Sequence, residues 1–148
     1  MILRLRNIFE CPGRKEDIEY DIPAQALDYL ADKTFKTPIN VSGAVENRAG
    51  IVFLKAKCGF TMQHECDRCL TEFEREYDID IEHTLVLRSY TDDDELVVCE
   101  DAKLDLDVLV IDDILLSLPT KILCREDCKG LCLTCGKNLN EGECGCEN

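Results

Sequence analysis

The sequence has no tryptophan and only two histidines among its 148 residues. Neither His64 nor His83 stands near a Ser or Cys in a nucleophile motif, so acyl-transfer chemistry of the triad type has no foothold. The longest apolar stretch, "VLVIDDILLSLP", is split by two aspartates. No segment therefore reaches the roughly 20 apolar residues that a membrane-spanning helix needs. In "MILRLRNIFE", Arg4 and Arg6 interrupt the apolar run that a secretion signal requires, so a cytoplasmic setting is expected. The glycines are scattered and form no phosphate-cradling loop, and "DDDE" lacks the spacing of a calcium loop. Basic residues are scarce too: 17 Lys and Arg stand against 31 Asp and Glu, a net charge of −14. Nonspecific nucleic-acid binding runs on Lys and Arg neutralising phosphate, so this balance argues against it.

Cysteine is abundant, at eleven residues. In a reducing compartment this favours metal ligation over disulfides, and the odd count points the same way. Eight of them form four pairs: Cys66/Cys69, Cys124/Cys128, Cys132/Cys135 and Cys144/Cys146. A C-x-x-C turn aims both thiolates at one ion. Eight ligands make two sites of four. Cys132, Cys135, Cys144 and Cys146 form a self-contained set, with Gly136 just after the first knuckle, and read as a miniature zinc ribbon. Cys66, Cys69, Cys124 and Cys128 are then the other set, a clasp between a β-hairpin tip and the root of the tail. Two other pairings satisfy the same arithmetic. An iron–sulfur cluster also takes four thiolates, and spacing does not separate it from zinc. Cys58 and Cys99 read as buried apolar side chains. His64, two residues before Cys66, reads as a solvated strand residue, with a substitute metal ligand as the alternative. A closed four-thiolate site has no open position for water, so no catalysis is expected.

The periodicity predicts an α+β fold, chiefly an antiparallel β-meander with one or two packed helices and the small four-cysteine module. Period-2 alternation marks strands in "MILRLRNIF", "EDIEYDIP", "FKTPINVSGAVENR", "IVFLKAKCGFTMQHEC" and "TEFEREYDIDIEHTLVLRS". "PAQALDYLADK" suggests a short helix, and residues 46–50 a turn in which Asn and Gly adopt left-handed conformations. "LDLDVLVIDDILLSLP" predicts a helix capped by Asp105 or Asp107 and closed by Pro119. The division expected is a body of residues 1–121 and a metal-binding tail of 122–148. Residues 91–113 hold ten acids and one Lys, so −9 of the −14. This acidic surface would attract a basic partner, with Asp92, Asp93, Asp94 and Glu95 as the contact residues.

"CDRCL", a charged strand, a helix ending in "LP" and "LCREDCKGLCLTCGKNLNEGECGC" together resemble the bacterial YceD family. Leu133 stands where the family's knuckle commonly has Pro. The resemblance implies a role in ribosome biogenesis, in the accumulation of 23S ribosomal RNA. It also implies a partner, because the family's gene commonly lies beside that of a small basic large-subunit ribosomal protein. A pre-50S particle is the broader version of that partner. Direct contact of the ribbon with 23S rRNA is the alternative. Residues 121–148 carry four cations against five acids, however, and each four-thiolate zinc adds −2. On this reading losing Cys66 loosens the root of the tail, while losing Cys144 unfolds only its tip.

Overall fold

A computed structural model describes residues 1–30, 34–88, 93 and 95–146. The chain runs β1 (Ile2–Arg4), α1 (Arg6–Glu10), β2 (Lys15–Ile22), a single helical turn at Ala24–Leu27, and β3 (Thr34–Phe35). The long strands β4 (Ile39–Arg48), β5 (Ile51–Glu65) and β6 (Glu72–Val86) follow. After them come β7 (Leu96–Val98), a turn at Glu100–Ala102, β8 (Lys103–Asp105) and α2 (Leu106–Ser117). The main sheet has the order β2-β4-β5-β6-β7, with β3 added against β5; among the described residues the β6–β7 pairing is parallel and the others antiparallel. β1 and β8 form a separate two-stranded ribbon. The fold is α+β, and among the described residues no helix is long and apolar enough to cross a membrane.

The long strands form where the period-2 pattern is cleanest. Val52, Leu54, Ala56, Cys58, Phe60 and Met62 of β5 all face inward and are buried. Their registered partners include Val41 and Val45 of β4 and Ile81 and Leu85 of β6. α2 lays Leu106, Val110, Ile111 and Ile114 into the same core. Asp105 caps α2 by accepting from the Val108 amide, as expected. Tyr20 of β2 donates to Asp107 Oδ1 at 2.7 Å, and His83 of β6 lies 2.6 Å from Asp113 Oδ2. These two polar contacts tie the helix across the sheet. Gly43 marks a close approach of β4 to β5, where a Cβ would collide with the Lys55 carbonyl oxygen and the Ala56 Cα.

Four expectations are corrected. "MILRLRNIF" is not one strand: it stops at Arg4 and turns into α1. The buried Asn47 side chain donates to the Ile8 carbonyl at 2.7 Å and holds that helical turn against the core. "PAQALDYLADK" makes one turn rather than a helix, with Leu27 its one buried residue, and positions 31–33 lie outside the described residues. In the β4–β5 hairpin Ala49 and Gly50 take the left-handed backbone, with φ 52° and 91°, while Asn47 stays in the strand. His64 is buried rather than solvated, because residue 64 continues the inward series of Phe60 and Met62. Its Nε2 sits 2.7 Å from the Tyr77 hydroxyl.

Most of the acidic stretch, residues 95–113, is described. It passes through β7 and β8 into α2. Three of its carboxylates work inside the fold, as the Asp105 cap, the Asp107 partner of Tyr20, and the Asp113 partner of His83. Asp93 and Glu95 are exposed, whereas Asp92 and Asp94 lie outside the described residues.

Candidate metal centre

The turn between β5 and β6 carries Cys66 and Cys69, and residues 118–131 fold back over it. Cys124 and Cys128 arrive from that returning segment. Cys66 Sγ lies 3.7 Å from Cys128 Sγ, and Cys69 Sγ lies 3.6 Å from Cys124 Sγ. All four sulfurs fall within 4.8 Å of one another. A tetrahedron with metal–sulfur bonds of about 2.3 Å has sulfur–sulfur edges of about 3.8 Å. A disulfide would need about 2.05 Å, and the cysteines are free. Cys66, Cys69 and Cys128 are buried, with Phe73, Leu123 and Leu131 packed around them.

The returning segment is held by more than sulfur. Ile122 and Asp67 exchange two hydrogen bonds: the Ile122 amide donates to Asp67 Oδ2 at 2.7 Å, and the Asp67 amide to the Ile122 carbonyl at 2.8 Å. Arg68 donates to the Cys128 carbonyl at 3.0 Å, and Arg75 to the Leu123 carbonyl at 2.6 Å. The two residues inside "CDRC" are therefore cross-links as well as spacers. Their charge inside a tight turn was the available signal.

Cys132, Cys135, Cys144 and Cys146 form the second group, again with all sulfurs within 4.8 Å. It is more open, with Cys132 buried, Cys135 exposed and the other two half-buried. The two knuckles share one geometry. The Leu70 amide donates to the Cys66 carbonyl and the Gly136 amide to the Cys132 carbonyl, both at 2.9 Å. Leu70 and Gly136 both have a left-handed backbone, with φ 59° and 75°.

The thiols in each group are pulled in opposite directions. Burial opposes ionisation of Cys66, but the amides of Cys69, Cys124 and Arg68 outweigh it and lower that thiol to about 6. Amides of Cys135 and Thr134, with Cys144, lower Cys132 to about 6 as well. Burial and the neighbouring thiols push Cys124 up to about 12. Cys135 and Cys144, together with burial, do the same to Cys146. Four sulfurs around one point cannot all be thiolates without a cation between them. Each group can hold one metal ion, and the all-sulfur tetrahedral donor set is consistent with zinc. Cys58 and Cys99 are buried in the core, where burial is the first cause raising each thiol to about 11. Cys11 is exposed.

Comparison with known proteins places both cysteine groups inside one family match. The family model described as large ribosomal RNA subunit accumulation protein YceD matches residues 54–148. An uncharacterised protein of Mycobacterium leprae (strain TN) is 29% identical over 107 residues, covering 69% of this chain and 49% of that protein. The chain thus spans about half the length of the curated relative it matches. No solved structure matches.

Proposed function

The chain belongs to the YceD family of large ribosomal RNA subunit accumulation proteins, and from that premise we propose how it acts. It is a non-catalytic, cytoplasmic ribosome-biogenesis factor. It supports 23S rRNA accumulation by binding a basic large-subunit ribosomal protein, free or within a pre-50S particle. Two zinc ions hold the tail, residues 122–148, on the body, residues 1–121. Cys66, Cys69, Cys124 and Cys128 are the ligands of one zinc, and Cys132, Cys135, Cys144 and Cys146 those of the other.

The observation that carries this reading is the outer face of β6. Glu72, Glu74, Glu76, Asp78, Asp80 and Glu82 alternate along it, all exposed. Residues two apart on a strand share a face about 6.8 Å apart. Across the ladder Lys57 and Lys55 lie 3.7 Å from Asp80 and 3.9 Å from Glu82, and the neutral Gln63 donates to Glu72. Such exposed ion pairs contribute little. Glu95 lines one open cleft with Lys55, Glu82 and Thr84, so its carboxylate extends the same surface. A surface of this sign steers a cationic protein and repels a phosphate backbone.

Direct RNA binding by the tail draws less support. Its cations are partly engaged: Arg125 lies 3.4 Å from Asp127, and Lys137 donates to the Glu143 carbonyl at 3.0 Å.

Purification of the tagged chain at low salt should retain a basic large-subunit protein, and the yield should fall as salt rises. Two neutralised variants should each lose most of it. One converts Asp92, Asp93 and Asp94 to Asn and Glu95 to Gln; the other converts Glu72, Glu74 and Glu76 to Gln. Retention undiminished in both variants counts against the proposal. Tight, strongly salt-dependent binding to isolated 23S rRNA fragments would favour the RNA reading instead.

A further inference from the structure

The segment 136–143 joins the two cysteine pairs of the second group, yet its side chains reach the first. The Leu139 amide donates to the Gly130 carbonyl at 2.9 Å, and Leu131 bridges Asn138, which lays this segment beside residues 129–131. Two asparagines then point across. Asn140 accepts from the Lys129 amide through Oδ1 at 2.8 Å, which fixes the amide so that Nδ2 faces Cys128 Sγ at 3.2 Å. Asn138 accepts from the Asn140 amide at 3.0 Å, so its Nδ2 faces the Thr71 hydroxyl at 3.3 Å. Thr71 Oγ1 is in turn 3.2 Å from Cys69 Sγ. Once Cys69 is a thiolate, it can only accept, and the hydroxyl donates to it. Asn138, Thr71 and Cys69 thus form a directed chain of donors.

We propose that Asn138 and Asn140 are positioning residues for the first four-cysteine centre, delivered by the loop that the second centre closes, so that the two centres bind metal cooperatively. This rests on the reading of both groups as metal sites. Hydrogen bonds to ligating atoms fix a ligand's orientation and tune its charge, and losing one typically weakens metal binding 10- to 100-fold. Here the donors come from a loop whose ends are Cys132/Cys135 and Cys144/Cys146. Closing those four sulfurs on an ion holds the loop where both amides reach the first centre. Linkage makes the effect mutual, so filling the first centre strengthens the second by the same factor.

The test is a titration of the full-length chain with Co²⁺ and Zn²⁺ against a chromogenic chelator. Wild type should bind two ions, with the sulfur-to-cobalt absorption reporting each four-thiolate set. Asn140→Ala should weaken one of the two ions about 10- to 100-fold and shift its charge-transfer band to lower energy, since a sulfur that loses a donor is easier to oxidise. Asn140→Asp keeps the acceptor for Lys129 but sets a carboxylate oxygen against Cys128. It should weaken the same ion at least as much. Cys144→Ser with Cys146→Ser should lower first-centre affinity by a similar factor. If Asn140→Asp binds as wild type does, the donor role is overturned. If the Cys144/Cys146 variant fills its first centre with unchanged affinity, the coupling is overturned, while the metal-site reading stands. If wild type binds fewer than two ions, the metal-site reading itself falls.

Discussion

Leu70 and Gly136 occupy the same place in two equivalent turns, one residue past the second cysteine of each knuckle. Both hold a left-handed backbone. Glycine takes it freely, whereas an L-residue with a Cβ gives up roughly 1–2 kcal/mol there. Leu70 is 56% exposed, so its side chain recovers little by packing. Leu70→Gly should raise the stability of the metal-loaded protein by about 1 kcal/mol in urea denaturation, and Gly136→Leu should lower it by a similar amount. At this scale the cysteines were legible because C-x-x-C spacing is a local geometric requirement. Asn138 and Asn140 are residue types that form turns. Their second use depends on where the loop returns in space, and local spacing holds no record of that. Asp67 and Arg68 carry a local signal in their charge, but their partners lie more than 50 residues away in the chain.

Among the elements, β4 to β6 and α2 could be read directly from period and capping, since each buries one continuous face. α1 could not. Five residues are too few for a helical period to emerge, and Asn47, from another strand, decides their conformation. β2 and α2 share the apolar core, and Tyr20 adds a hydrogen bond between them by donating to Asp107. Burial, and then Asp107 through its hydrogen bond and charge, hold the Tyr20 phenol well above its ordinary range. The folded state therefore keeps this proton longer than the unfolded chain does. The stabilisation is present in full below pH about 10 and is eroded as pH rises past it, by up to about 1.4 kcal/mol per pH unit. Urea denaturation of wild type and Tyr20→Phe between pH 8.5 and about 11 checks this. The wild type should lose stability more steeply than the variant, and parallel curves would contradict the assignment.

For the molecule as a whole, the β-sheet body supplies an acidic outer face, and the two cysteine groups fold a segment that has few apolar residues of its own. The expectation that losing Cys144 affects only the tip treats the groups as independent. The Asn138 and Asn140 contacts argue for linkage instead, with the second group steadying the first. Linkage of this kind requires two ions held by eight cysteines. Native mass spectrometry of the purified full-length chain, beside Cys66→Ser, measures that directly. Two zinc ions per wild-type chain are expected, with loss of the first-centre ion in Cys66→Ser. A single ion in wild type, the mass of an iron–sulfur cluster, or unchanged metal content in Cys66→Ser would contradict this.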